Sequence, residues 1–161
     1  RGPGAVVVRP VPRGVVAGRP GGPGRATDGA PRRAHYRKTS DRDGVRDYPA
    51  IHDGEGVIRV KSFFDGEVTT GVHVHVWELP PGATEGRHTH PEHDPRDNWE
   101  ELYYVLSGRG VATFADGEEV PLAPGDGLLV PVDVDHGLEN RGSEPLRIVL
   151  VFGRPAGSAP G

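Results

Sequence analysis

Apolar and polar residues alternate in short runs from Val57 to Phe152, and glycine and proline turns separate the runs. A period of two is typical of strands that bury one face, and Gly, Pro, Asn and Asp mark the turns between them. The runs that predict strands are 57–64, 72–79, 87–90, 101–106, 111–115, 118–122, 128–130, 135–139 and 146–152. Strands this short, at this turn frequency, predict an all-β sandwich or barrel.

The segment before this pattern differs in composition and charge. Residues 1–34 contain eight Gly and six Pro, so they bury too little apolar area to offset the entropy of ordering them. We expect a flexible or extended basic arm over 1–48, the β domain over 49–153 and a frayed tail over 154–161. Residues 1–48 carry a net charge of +7 and residues 49–161 a net charge of −11. The arginines are scattered without interleaved aromatic residues, so we expect no nucleic-acid partner; nucleic-acid binding through the arm is the weaker alternative.

The composition also excludes several kinds of chemistry. Cysteine is absent, which excludes disulfides and thiolate metal sites, so any metal site has to use histidine and carboxylate ligands. The sequence contains no membrane-spanning apolar run, and without an apolar signal segment we expect a cytoplasmic protein. No phosphate-binding glycine loop and no serine in a nucleophile-elbow context are present.

Histidines, a glutamate and glycines recur at defined spacings between Gly82 and Asn140. The first half reads Gly82, five residues, His88-Thr89-His90, then Glu101, six residues and Gly108. The second half reads Gly125, five residues, Pro131-Val132-Asp133, two residues, His136, three residues and Asn140. Three imidazoles and one carboxylate on strand-like segments predict a site for a single divalent metal ion.

Both halves resemble, in order, the two motifs of the cupin family, G-x5-H-x-H-x3/4-E-x6-G and G-x5-P-x-G-x2-H-x3-N. The resemblance covers about three-fifths of the chain. It implies a cupin-type double-stranded β-helix, that is, a jelly-roll barrel, and a homodimer. It also implies one divalent metal ion per chain, with Fe(II) favoured and Ni, Mn, Zn or Cu as alternatives. The implied ligands are His88, His90, Glu101 and His136.

The chain departs from the family pattern at two places. Ten residues, 91–100, separate His90 from Glu101, where the family has three or four. Glu101 is favoured as the ligand because it keeps the six-residue spacing to Gly108 and opens a strand, whereas Glu100 points to the opposite face. The second departure is Asp133, which stands where the family has a turn glycine; Asp tolerates that geometry better than most residues.

Three further side chains are candidates for catalytic roles. His73 and His75 lie on one face of the predicted strand 72–79, and Val72, Val74 and Val76 lie on the other; the pattern does not decide which face is inside. If the histidines face inward, they are candidates for substrate contact or acid–base chemistry. Tyr103, close to Glu101, is a candidate to offer its hydroxyl to a substrate. The inserted loop is either a lid over the site or a solvated loop.

The resemblance implies a metal-dependent enzyme that acts on a small organic molecule at a mononuclear centre. By family analogy an oxygenase is favoured, and a non-redox isomerase, lyase or cyclase is the alternative. A cupin that binds a metal or a small ligand without turnover remains a further hypothesis.

Overall fold

The computed structural model describes residues 37–155, which fold as ten strands in two antiparallel sheets. The strands are β1 Arg46–Pro49, β2 Val57–Ser62, β3 Val72–Leu79, β4 Thr84–His88, β5 Glu100–Ser107, β6 Gly110–Phe114, β7 Glu119–Leu122, β8 Gly127–Val130, β9 His136–Glu139 and β10 Leu146–Gly153. One sheet has the order β1-β2-β3-β10-β5-β8 and the other β4-β9-β6-β7. The predicted all-β jelly-roll architecture is confirmed.

Most strands lie where the alternation predicts them, and three places differ. β4 runs over 84–88 rather than 87–90, so its prediction was shifted. β2 ends at Ser62 because Phe64 adopts a left-handed backbone conformation, with φ 58°. β1 and a short 3₁₀ turn, Ile51–Asp53, were not predicted at all. The predictions for residues 1–36 and 156–161 lie outside the described residues.

The core lies between the two sheets and follows from the alternation within each strand. In β5, Glu101, Tyr103 and Val105 are buried whereas Leu102 and Tyr104 are exposed, so the odd-numbered side chains face the barrel interior. The buried apolar residues of the core are Ile58, Val60, Trp77, Leu79, Ala83, Tyr103, Val105, Ala112, Leu122, Val130, Leu138, Leu146, Ile148 and Leu150. Burial of this apolar area is the main force that closes the two sheets on each other.

Strand β10 places the side chains of β3 and β5 on one interior face. Phe152 pairs with both His73 and Glu101, and Leu150 pairs with both His75 and Tyr103. The β3 histidines therefore face inward, together with Trp77 and Leu79, which settles the choice that the sequence left open. Because β10 lies between them, the β3 and β5 backbones are about 10 Å apart.

Turn residues fix the ends of the strands that carry the motifs. Gly108 has φ +79°, and a Cβ there would lie 2.4 Å from the carbonyl oxygen of Pro145, so only glycine fits. Asp133 has φ 64°, and so adopts the left-handed conformation of the glycine that it replaces. Buried Asn140 donates from Nδ2 to the carbonyl oxygens of Leu79 and Glu144, which gives it a structural role.

Candidate metal centre

The four motif residues come together inside the barrel. Each of His88, His90, Glu101 and His136 offers one ligand atom, and these atoms lie within 4.8 Å of one another. The Nε2 atoms of His88 and His90 are 3.1 Å apart. Glu101 Oε1 lies 3.4 Å from His90 Nε2, and Glu101 Oε2 lies 2.9 Å from His136 Nε2.

Two sheets contribute to this cluster. His88 and His136 are register partners on β4 and β9 of the smaller sheet, and His90 follows the end of β4. Glu101 reaches in from β5 of the larger sheet, where it is 5% exposed, whereas the neighbouring Glu100 is exposed. The site therefore depends on the packing of one sheet against the other.

Hydrogen bonds at the far side of each ring orient the three imidazoles. His88 Nδ1 donates to the carbonyl oxygen of Gly86 at 3.0 Å, and His136 Nδ1 donates to that of Val134 at 2.9 Å. His90 Nδ1 lies 2.9 Å from Asp97 Oδ1. A proton held on Nδ1 leaves Nε2 with a free lone pair, which is the form of histidine that binds metals. The donor set and its orientation fit a divalent ion of the Fe, Mn, Ni, Cu or Zn type.

The inserted loop 91–100 supplies one of these orienting groups, Asp97. Its first part is tied to the second motif, because Asp133 Oδ1 accepts from Glu92 N at 3.0 Å and Asp133 N donates to the His90 carbonyl at 2.9 Å. Asn98, in the same loop, is buried. The insertion thus contacts the candidate centre directly.

A second carboxyl group lies beside the cluster. Glu85, on β4, has a side chain that is 0% exposed. The Tyr103 hydroxyl donates to Glu101 Oε2 at 2.5 Å and lies 3.2 Å from Glu85 Oε2, so it links the two carboxyl groups. Tyr103 is itself 2% exposed. Its hydroxyl is therefore engaged by the two glutamates and not free in a cavity.

The electrostatics of the cluster are strongly perturbed. Burial raises the pKa of Glu101, but hydrogen bonds from His136, His90 and Tyr103 outweigh this and leave that pKa well below its usual range. Burial, reinforced by the charge on Glu101, raises the pKa of Glu85 well above its usual range. Burial lowers the pKa of His88 to about 4, so the ring stays neutral at physiological pH. Burial also lowers the pKa of His90, but its hydrogen bonds to Glu101 and Asp97 raise it overall.

A fourth histidine, His52, contacts the cluster from the short 3₁₀ turn between β1 and β2. The His52 ring stacks on that of His88, with ring centroids 3.6 Å apart and planes 7° from parallel. Together with Glu85 and His88 it forms a second group whose ligand atoms lie within 4.8 Å of one another. Two close backbone contacts hold this segment: a Cβ on Gly54 would lie 2.2 Å from the Thr84 oxygen, and one on Gly86 1.8 Å from the His52 oxygen.

His73 and His75, on β3, lie on the same interior face as Glu101, but strand β10 lies between β3 and β5. Asp65 bridges them, with its Oδ1 at 3.3 Å from His73 Nδ1 and its Oδ2 at 3.0 Å from His75 Nε2. His73 also stacks on Phe152 at 4.7 Å between ring centroids. Burial lowers the pKa of His75 despite its bond to Asp65. Phe152 and Leu150 separate these histidines from the Glu101 cluster.

Sequence reasoning missed three residues around the centre: His52, Glu85 and Asp97. Strict alternation puts Glu85 on the opposite face from His88, but a bulge between them in the pairing of β4 with β9 brings both inside. His52 and Asp97 come from segments without strand periodicity. The signal that was available is the glycine pair, Gly54 and Gly86, because isolated glycines near strands mark close backbone approach.

The chain has a cupin-type fold: a two-sheet jelly roll with a histidine–glutamate cluster between the sheets. Residues 75–152 match the family model described as "Cupin domain". This match supports the predicted resemblance to the cupin superfamily. Within residues 37–155, no helix is long and apolar enough to cross a membrane.

Curated relatives match parts of the sequence. It is 36% identical over 76 residues to an oxalate-binding protein of Thermotoga maritima, a match that covers 47% of this chain and 56% of the relative. It is 38% identical over 72 residues to the polyketide synthase CurC of Streptomyces cyaneus, covering 45% of this chain and 42% of the relative. The matches span 39–56% of the length of the curated relatives.

A solved structure shares the fold over most of the described residues. The crystal structure of a predicted oxalate decarboxylase from Thermotoga maritima superposes with a TM-score of 0.63 at 23% identity. The match covers 73% of this chain and 97% of the solved one.

Proposed function

We propose that this chain is a metal-dependent cupin enzyme that acts on a small organic molecule at a mononuclear centre. The residues that would hold the ion are His88, His90, Glu101 and His136. One observation carries the proposal: their ligand atoms converge within 4.8 Å while every Nδ1 of the three histidines is tied back. Hydrogen bonds on Nδ1 fix the tautomer and the orientation of each ring, as is typical of histidines that bind a metal through Nε2.

Oxygenase chemistry with Fe(II) is the favoured form of this proposal. A redox-active ion in this site would supply dioxygen chemistry, and a redox-inert one would supply Lewis acidity for an isomerase-, lyase- or cyclase-type reaction. Four protein ligands leave room for a substrate on an octahedral ion.

The chain's own residues have distinct parts in this scheme. Burial and the two glutamates raise the pKa of Tyr103, so its hydroxyl keeps its proton and holds the Glu101 carboxylate in place. Tyr103 is therefore proposed as a positioning residue rather than a group that offers its proton to substrate. His73 and His75 are the proposed substrate contacts, since they line the same interior face beside Phe152.

The first test is the metal content of protein purified without a metal-affinity column, followed by dioxygen consumption in the presence of candidate substrates. We expect about one equivalent of metal in the unmodified protein, and its loss in His88→Ala and in His136→Ala. His93→Ala is the matched control, because His93 is exposed on the inserted loop. A protein that neither contains nor takes up metal, while folded, would overturn the proposal.

A second candidate is a cupin that binds a small carboxylate without turning it over. The observation that favours it is the 36% identity to a relative named as an oxalate-binding protein. Calorimetric titration of the metal-loaded protein with oxalate separates the two. Binding with no consumption of oxalate or dioxygen supports the binding protein, and product formation supports the enzyme.

We also propose a homodimer that forms through the outer face of the larger sheet. On this face Val151 pairs with Leu102, and Leu102 with Leu129, so apolar side chains run across three neighbouring strands. Leu102, Tyr104 and Leu129 are 42%, 46% and 56% exposed. Two ion pairs that involve residues of β2, β3 and β10, Arg59–Glu78 and Arg147–Asp41, place both signs of charge beside this apolar surface, which suits an interface between identical copies.

A further inference from the structure

The buried carboxyl group of Glu85 is the strongest feature that the cupin motifs do not explain. Its Oε1 atom is fully buried and has no hydrogen-bond partner. The nearest ring nitrogens are His88 Nε2 at 3.8 Å and His52 Nε2 at 4.0 Å, both too far for a hydrogen bond. A buried polar oxygen without a partner is unfavourable by about 1–3 kcal/mol, so a native structure that keeps one usually has a use for it.

The position of Glu85 on β4 directs its Oε1 atom towards His88. The bulge in β4 turns Glu85 to the same interior side as His88, and Tyr103 ties its other oxygen, Oε2, at 3.2 Å. Oε1 is left 3.8 Å from the Nε2 atom that His88 offers to a metal. Glu85, His52 and His88 form a group with ligand atoms within 4.8 Å of one another.

The charges around Glu85 also favour a role in metal binding. Among residues 37–155, the ion-pair partners of Glu85 within 4.0 Å are two histidines and no Lys or Arg. Burying a carboxylate without a cation is very costly. A divalent ion beside Glu101 alone would leave one uncompensated positive charge in the barrel, and a second carboxylate would neutralise it.

We propose that Glu85 is a fifth protein ligand of the metal ion, adding a second carboxylate to the three histidines and Glu101. The inference rests on the proposed metal centre and deepens it. Five protein ligands leave one position on an octahedral ion, so a substrate or a small molecule would bind through one atom. The second carboxylate also shifts the preference of the site towards Mn(II) or Fe(II) over Cu(II) and Zn(II), because oxygen ligands suit the former.

The test compares Mn(II) binding by the unmodified protein and by Glu85→Gln, which keeps the size of the side chain. Affinity is measured by competition with a chelator, and water-proton relaxation of the Mn(II)-loaded protein reports the number of water molecules on the ion. We expect Glu85→Gln to bind Mn(II) about tenfold or more weakly, because it replaces a carboxylate by a neutral amide. Water should displace this weaker donor and give faster water-proton relaxation, and the variant should lose part of its preference for Mn(II) over Zn(II).

Two further variants separate ligation from structure. Glu100→Gln changes an exposed carboxylate on β5, in the other sheet, and should behave as the unmodified protein. Tyr103→Phe removes the contact with Glu85 Oε2 but leaves Oε1, so water-proton relaxation should stay near that of the unmodified protein even if affinity falls. If Glu85→Gln is poorly folded by circular dichroism, Glu85→Asp replaces it: a shortened carboxylate should also raise relaxation.

The outcomes distinguish this inference from the proposed function. If the unmodified protein binds Mn(II) and the Glu85 variants match it in affinity and relaxation, Glu85 is a buried structural acid and the inference is wrong. If the folded unmodified protein binds no Mn(II), Fe(II) or Zn(II), the metal centre itself is wrong and the inference falls with it.

Discussion

At the scale of single residues, Glu85 makes the metal-free protein sensitive to rising pH. Burial raises its pKa in the folded state well above the ordinary value of 4.5. Between those two values the unfolded chain has lost this proton and the folded chain still holds it, so folding takes up a proton. The contribution of Glu85 to stability is therefore complete below pH 4.5 and is lost as the pH rises towards its folded pKa.

We therefore predict that Glu85→Gln gains stability relative to the unmodified protein as the pH rises from about 5 to 8. The glutamine does not titrate, so it removes this pH-dependent loss. Denaturant unfolding at several pH values, with a chelator present, measures the difference in the free energy of unfolding. A difference that stays constant across this range, as expected for the exposed Glu100→Gln, would contradict the prediction.

Asp97 is the second residue whose effect can be predicted separately. Its Oδ1 lies 2.9 Å from His90 Nδ1, so it holds the ring and makes Nε2 a stronger donor. We predict that Asp97→Ala weakens metal binding by about 10–100-fold, and that Asp97→Asn, which still accepts the hydrogen bond, loses less. Chelator competition measures both. Asp94→Asn is the control, because Asp94 pairs with Arg96 in the same loop; an equal loss in that variant would assign the effect to the loop rather than to the ring.

At the scale of elements, the sequence predicted what alternation and spacing determine, and it missed what irregular backbone determines. The strand over Val72–Leu79 has the predicted bounds, because the turn signals on both sides are strong. Glu101 has the predicted buried orientation, because one strand carries it without interruption. The bulge beside Glu85 reverses the side on which a residue lies, and a period-two argument has no way to detect it. β1 is short and all four of its residues are exposed, so it has no apolar pattern to reveal it.

The docking of the segment around Ile51–Asp53 on β4 makes a prediction at this scale. The backbone of Gly86 touches the carbonyl of His52, and a Cβ there would lie 1.8 Å from that oxygen. We predict that Gly86→Ala separates the two segments and lowers the free energy of unfolding by about 1–3 kcal/mol, the usual cost of overpacking. Denaturant unfolding measures the loss. Gly127→Ala is the matched control in a strand, since its Cβ would meet only the Tyr103 oxygen at 3.9 Å; equal stability of the two variants would show that the contact is not tight.

At the scale of the whole molecule, the two faces of the larger sheet have different roles: one contributes to the candidate metal centre and the other forms an exposed apolar surface. The inner face presents Glu101 and Tyr103 to the candidate centre, and the outer face presents Leu102 and Tyr104 to its surroundings. Strict alternation along β5 produces both faces from one strand. A shift of one residue in register would exchange the two sets, so the site and the outer apolar surface depend on the same pairing of β5 with β10.

The outer face leads to the last prediction, which concerns the association of two copies. A contiguous apolar surface is unfavourable in water and typically marks an interaction site. We predict that the unmodified protein is a dimer by light scattering at micromolar concentration, and that Leu102→Lys combined with Leu129→Lys makes it monomeric, since each lysine would have to be buried against the other copy. Far-ultraviolet circular dichroism and metal content should stay unchanged, because both side chains point away from the barrel interior. Val68→Lys is the control: Val68 is 43% exposed but lies outside the strands, so this variant should remain dimeric. A monomeric unmodified protein, or a double variant that stays dimeric, would show that a second copy does not cover this face.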